Sequence, residues 1–165
     1  MKDFLKPDWD CEMPIYEINL QEIEKVGIKS LILDLDGTLI SRNSINPSHL
    51  VKDWIKNAKK KFSIHILTNN PYKKRVEIIA NNLEIPFTFR GLKPRRKTAL
   101  KIIKNFNINN RAIAIVGDRI FTDVLLGKRL GLFTILVKSL DDNGNARKNN
   151  YIQFTEKFLA SLITT

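Results

Sequence analysis

Asp34, Asp36, Thr68, Asn69, Lys93, Asp118 and Asp123 are the side chains of this sequence that could do chemistry together. Asp34 and Asp36 flank Leu35 at the end of Leu31-Ile32-Leu33, an apolar run that reads as a buried strand. On an extended chain, alternate side chains share one side. Two carboxylates held that close repel. They stay ionised most easily with a cation between them or with one of them protonated. Asp36-Gly37 between apolar runs is also a hairpin signal, so the pair alone fits architecture as well as chemistry.

The other residues change that balance, because each follows an apolar run of its own. Thr68 and Asn69 close the run 62–67, Lys93 follows the short run 87–89, and Asp118 follows 112–116 with Asp123 five residues on. Two or three carboxylates with a backbone carbonyl and waters make a Mg²⁺ site, since this hard ion takes oxygen ligands. One carboxylate can attack phosphorus to give an aspartyl-phosphate. A second can protonate the leaving alkoxide and then activate water as a base. A threonine hydroxyl and a lysine can hold the phosphoryl oxygens during transfer. Lys93 beside Pro94 also reads as the opening of a helix, where a phosphate would bind between the lysine and the acids.

A repeated strand–helix pattern must position these groups. Strands are expected over 31–35, 62–67, 87–89, 112–116 and 133–137. Helices are expected from Asn19 to Val26, from Asn46-Pro47 to Lys60, from Asn70-Pro71 to Asn82, from Lys93-Pro94, from Thr122 to Gly131 and over 151–163. The expected inner faces are Leu50, Trp54, Ile55 and Ala58 on one helix, and Ala99, Leu100, Ile103 and Phe106 on another. Strand–helix alternation implies an α/β fold with a parallel five-stranded sheet, whose ligands bind at the C-terminal strand ends. Residues 1–30 read as an N-terminal extension in which Trp9 and Tyr16 pack on the core, and 1–165 as a single domain. His49 reads as a surface residue and His65 as a core or edge residue.

The chain has 165 residues, 43% apolar and 27% charged, which suits one globular domain rather than a disordered chain. No apolar run has the roughly 18 residues of a membrane span, and 1–7 lack the apolar stretch of a secretory leader. Cys11 is the only cysteine, which fits a reducing compartment. Net charge is +11 and uneven: residues 1–30 carry −3, whereas 71–104 hold ten basic residues against Glu77 and Glu84, a net +8. Such a field suits an anionic partner: nucleic acid, anionic lipid or a phosphorylated substrate. A solvated basic face would have the same composition.

The motifs Asp34-Leu35-Asp36-Gly37-Thr38, Thr68, Lys93 and Gly117-Asp118 to Thr122-Asp123 resemble, in order and spacing, those of the haloacid dehalogenase (HAD) superfamily of phosphohydrolases. The resemblance implies a Rossmann-like three-layer fold. It makes Asp34 the nucleophile and Asp36 the general acid/base, with Thr68, Asn69 and Lys93 on phosphate. It implies that Mg²⁺ is held by Asp34, the Asp36 carbonyl and Asp118, with Asp123 in support. Phe4-Leu5-Lys6-Pro7, Thr68-Asn69-Asn70, Gly91-Leu92-Lys93-Pro94 and 117–124 are similar to the YqeG-like branch, subclass IIIA, which includes phosphatidylglycerophosphate phosphatases. Gly37 stands where many members of that branch have Asn.

Neither 38–68 nor 68–93 has room for a cap domain, so an open site and a large substrate are expected. The resulting expectation is a phosphatase of phospholipid biosynthesis that releases phosphatidylglycerol. It would touch an anionic membrane through 71–104, in the cytoplasm or an organelle stroma or matrix. The alternatives are a capless phosphatase for a protein, a nucleic-acid end or a soluble metabolite, and a non-catalytic module that binds ribosomal RNA. The sequence lacks the aromatic interleaving of a nucleic-acid stacking surface.

Overall fold

In a computed structural model of the chain, residues 4–164 are described. The reading that 1–7 carry no leader therefore falls partly outside the described residues. The strands are β1 (Trp9–Asp10), β2 (Ser30–Leu33), β3 (Ser63–Leu67), β4 (Phe87–Thr88), β5 (Ile113–Gly117) and β6 (Phe133–Leu136). The helices are α1 (Leu20–Lys25), α2 (His49–Ala58), α3 (Lys73–Leu83), α4 (Arg96–Phe106), α5 (Leu125–Leu130) and α6 (Tyr151–Thr164). All strand pairs are parallel, in the order β1-β6-β5-β2-β3-β4.

The chain leaves β2 towards β3 and β4, then returns past β2 to β5 and β6. The topological switch point therefore lies between β2 and β5, where an open α/β sheet forms its ligand crevice. β2 and β5 are buried along their whole length, which is why they read as unbroken apolar runs. Alternation sends Leu31 and Leu33 to the α2–α3 layer, and Ile32, Ile113 and Ile115 to the α4–α5 layer. Three layers result.

Among the described residues the sheet has six strands, not five. The extra one, β1, lies in the segment expected to be an extension. It is two residues long and includes the half-buried Trp9 and the exposed Asp10, too short a pattern to stand out. Trp9 and Tyr16 do pack on the core. Tethering to β6 is completed by Asp8, which accepts from the Thr134 amide and hydroxyl at 2.8 and 2.7 Å and pairs with Lys128.

Three helix starts fall later than expected. α2 is capped by Ser48, whose Oγ accepts from the Val51 amide, not by Asn46. α3 begins at Lys73 rather than at Asn70-Pro71, and α4 begins at Arg96 rather than at Lys93-Pro94. Leu50 and Leu100 are exposed. The buried stripes are Val51, Trp54, Ile55, Ala58 and Ala99, Ile102, Ile103, each at i, i+3, i+4 spacing, so Leu50 and Leu100 fall one residue off the core face. His49 is exposed, and His65 is half-buried on Thr88 Oγ1 at 2.9 Å. No helix among the described residues is long and apolar enough to cross a membrane.

Candidate active site

Asp34, Lys93, Asp118 and Asp123 meet beyond the C-terminal ends of β2 and β5. They are buried, at 7%, 6%, 3% and 1% exposure. Lys93 Nζ donates to Asp34 Oδ1 and to Asp123 Oδ1, each at 2.6 Å. Asp34, Asp118 and Asp123 each offer an oxygen within 4.8 Å of the others. Asp118 Oδ2 accepts from the Ser139 hydroxyl, while Asp118 Oδ1 is buried with no hydrogen-bond partner among the described residues.

Three carboxylates thus surround one ammonium. Burial pushes Asp34 up to about 8, against the pull of Lys93. Burial and the neighbouring Asp123 push Asp118 up to about 6. Burial works against the charge of Lys93, but Asp123 and Asp34 outweigh it and raise its pKa. Surplus negative charge, an all-oxygen donor set and an orphaned buried carboxylate oxygen fit a hard divalent cation such as Mg²⁺.

Two glycines make room for this packing. Gly37 has φ +93°, and a β-carbon there would sit 2.4 Å from Asp118 Oδ2. A β-carbon on Gly117 would sit 2.3 Å from Asp123 Cγ. The tight loop 35–40 is closed by the Leu39 and Ile40 amides on the Leu35 carbonyl at 3.0 and 3.2 Å. Among the described residues β2 pairs only in parallel, with β3 and β5, so Asp36-Gly37 is not a hairpin turn.

Asp36 stands apart from the carboxylate cluster. β2 ends at Leu33, so the strict alternation expected to put Asp34 and Asp36 on one side lapses between them. The Asp36 carboxylate instead accepts from Arg75 Nη1 and Asn70 Nδ2, each at 2.7 Å. Arg75 also donates to the Ser41 and Ser44 carbonyls at 2.9 and 2.8 Å, which ties α3 to the loop after Asp36. A repelling pair of neighbouring acids is thus replaced by two acids with separate partners.

Thr68 is buried and accepts from the Asn70 amide at 3.1 Å, which leaves its own proton to donate. Asn69 brackets the backbone of Lys93: its Nδ2 donates to the Lys93 carbonyl at 2.9 Å, and its Oδ1 accepts from the Lys93 amide at 2.7 Å. Asn69 thus positions the backbone of Lys93 and keeps a second Nδ2 proton beyond these two bonds. Lys93 is not at a helix N-cap, since α4 starts three residues later; the acids on either side hold it.

Sequence reading missed Arg75, Ser139, Gln153 and Glu156. Gln153 Nε2 donates to the Asp118 and Val137 carbonyls at 3.0 and 2.8 Å. Glu156 accepts from Arg119 Nε at 2.6 Å and from the Ile120 amide at 2.7 Å, fixing the π-helical turn Ile120–Val124 that carries Asp123. A local pattern holds no signal for contacts spanning 16 or more residues; the run of basic residues was the only mark on Arg75. A cavity of about 50 Å³ over Asp118 is lined by Arg42, Arg119, Arg147 and Asn150, a cationic mouth suited to an anion.

Residues 10–140 match the family model described as mitochondrial PGP phosphatase. The Bacillus subtilis (strain 168) protein named probable phosphatase YqeG is 30% identical over 138 residues, 83% of this chain and 79% of that one. Phosphatidylglycerophosphate phosphatase 1, chloroplastic/mitochondrial, from Arabidopsis thaliana is 28% identical over 132 residues, and the match covers 74% of this chain but 38% of the plant protein. A Legionella pneumophila structure assigned to HAD subfamily III A superposes with a TM-score of 0.50 at 18% identity, over 88% of both chains. At that identity the likeness shows the fold alone.

Proposed function

The chain belongs to the mitochondrial PGP phosphatase family of HAD phosphatases, and from that membership we propose that it is a Mg²⁺-dependent phosphomonoesterase acting on phosphatidylglycerophosphate. The observation that carries the reaction is the Lys93 ammonium held between Asp34 and Asp123 beside Asp118. Asp34 attacks phosphorus, and the bond to the leaving alkoxide breaks as Asp36 protonates it, giving phosphatidylglycerol and an aspartyl-phosphate on Asp34. Asp36 then takes a proton from water, which attacks the same phosphorus and returns Asp34 with release of phosphate. Arg75 and Asn70 keep the Asp36 carboxylate aimed through both steps. Thr68 and Lys93 hold the phosphoryl oxygens, and Asn69 holds Lys93. Asp34, Asp118 and the Asp36 carbonyl would hold Mg²⁺ with Asp123 in support; when bound, it supplies positive charge against the phosphoryl oxygens.

The lipid reading draws on the name of the plant relative and on the open site. Only α2 and β3 lie between Thr68 and the loop after Asp36, and only α3 and β4 between Thr68 and Lys93. A substrate whose phosphate projects from a large body could reach such a site. Residues 4–164 act as one domain in this proposal, with β1 part of the catalytic sheet.

The test is phosphate release from phosphatidylglycerophosphate in mixed micelles with Mg²⁺, beside Asp34→Asn, EDTA and a panel of soluble phosphomonoesters. Release from the lipid that EDTA and the substitution both abolish is the expected result. Turnover of soluble esters alone would keep the chemistry and remove the lipid substrate. A folded chain that turns over none of them would point to a binding module.

A further inference from the structure

Helix α6 presents its apolar residues to the outside. Its inward face carries Gln153, Glu156 and Ala160, with the two polar side chains bonded to the turns around Asp118 and Ile120. Its outward face carries Tyr151, Phe154, Phe158 and Leu162, of which Phe154 is 73%, Phe158 56% and Leu162 61% exposed. At roughly 100° per residue these four form one stripe opposite Glu156 and Ala160. A surface helix ordinarily turns such a stripe to the core, and a contiguous exposed apolar face marks an interaction site.

Charge decides what covers it. Along the first turns of α6, Lys138, Arg147 and Lys148 join Tyr151 and Phe154 around a groove of about 430 Å³; Lys157 lines it too, paired with Asp10 at 2.7 Å, and among the described residues no carboxylate belongs to the lining. The one acid of α6, Glu156, is turned inward onto Arg119. An aromatic and aliphatic face bordered by cations suits an anionic bilayer: the rings enter the acyl boundary while the cations sit among lipid phosphates. A second copy is a poorer fit, because two-fold pairing of this face would set like charges against each other. With 14 residues, α6 is too short to span and would lie in the surface plane. Arg147 and Asn150 line both this groove and the cavity over Asp118, so docking here sets the site mouth at the membrane.

We infer that the outward face of α6 is a membrane-docking surface for bilayers rich in anionic phospholipid. It replaces 71–104 as the principal contact, since the exposed apolar residues there (Tyr72, Ile78, Leu92 and Leu100) form no comparable stripe. The inference does not need a lipid substrate, because a surface-bound enzyme can also hydrolyse a soluble ester.

The test is co-sedimentation of the full chain with sucrose-loaded vesicles of equal parts phosphatidylglycerol and phosphatidylcholine. Phe158→Ser/Leu162→Ser, at exposed positions away from both cavities, should bind roughly tenfold more weakly. It should keep its far-UV spectrum and its turnover of a soluble ester. Failure of the unaltered chain to sediment would overturn the inference. So would unchanged binding by the double variant, which would return the contact to the basic residues of 71–104. A dimer that the double variant splits into monomers would overturn it too, assigning the face to a second copy.

Discussion

Arg75 Nη1 lies 2.7 Å from Asp36 Oδ1, reaching from the first turn of α3 to the loop beyond β2. The same guanidinium holds the Ser41 and Ser44 carbonyls, so it braces both the carboxylate and the loop beside it. Hydrogen bonds to a charged group contribute about 1.5–3 kcal/mol. Arg75→Ala should therefore lower kcat for a soluble phosphomonoester by roughly tenfold to a hundredfold. Arg75→Lys, which cannot span three acceptors in one plane, should recover only part of it. Steady-state kinetics on both variants check this; an unchanged kcat would remove Arg75 from any part in aiming Asp36.

Ser139 donates to Asp118 Oδ2 and accepts from Asn150 Nδ2, the latter at 2.7 Å. If Asp118 holds the cation, the loss of this support should weaken the cation more than the chemistry. Ser139→Ala should raise the Mg²⁺ concentration for half-maximal turnover by about tenfold or more. Turnover at saturating Mg²⁺ should stay close to that of the parent chain. A Mg²⁺ titration of activity separates the two, and an unmoved midpoint with a fallen maximum would contradict the role given to Asp118.

Partial burial pushes the Asp8 carboxyl up, but hydrogen bonds from Lys128 and Thr134 outweigh it and hold it below the ordinary aspartate value. A depressed folded-state pKa contributes stability above the unfolded value of about 3.9, and that contribution is lost as pH falls through the lower folded value. Asp8→Asn should cost about 1 kcal/mol near neutral pH, and the difference from the parent chain should close on the acid side. Urea unfolding at a series of pH values measures this. A difference independent of pH would mean that Asp8 ties β1 to β6 by shape alone.

The parts of this molecule legible in its sequence are those set by short-range pattern. β2 and β5 are buried on both faces, so their apolar runs announced themselves and their ends pointed to Asp34 and Asp118. The same logic could not see β1, because two residues at a sheet edge carry no period. It also misjudged where helices begin: Asn46-Pro47, Asn70-Pro71 and Lys93-Pro94 are each followed by further non-helical residues before the first turn. Asn70 is instead an Asx-type turn residue, accepting from the Tyr72 amide at 2.9 Å while donating to Asp36. Lys93 lies beside the acids, but the acids across the crevice hold it and not a helix end. Arg75, Ser139 and Glu156 act across separations of 21 residues or more, a distance at which direction is set by the finished sheet.

Lys93 is where the electrostatics of the site can be read without turnover. Its ammonium is the counter-charge for Asp34 and Asp123, and removing one partner of a buried pair destabilises by about 3–5 kcal/mol. Lys93→Met should show a loss of that order in urea unfolding with EDTA at alkaline pH. Adding Asp123→Asn should restore part of it, because one of the stranded carboxylates is gone. The pH dependence has a defined sign. Asp34 and Asp118, raised to about 8 and about 6, bind protons in the folded state that the unfolded chain has already released, so their contribution falls as pH rises through that window. The deficit of Lys93→Met should accordingly be smaller near pH 5 than near pH 8, and Mg²⁺ should shrink it at the higher pH by supplying the missing charge. A deficit that neither acid nor Mg²⁺ relieves would mean that Lys93 stabilises by packing, and the cluster would lose its standing as a cation-compensated site.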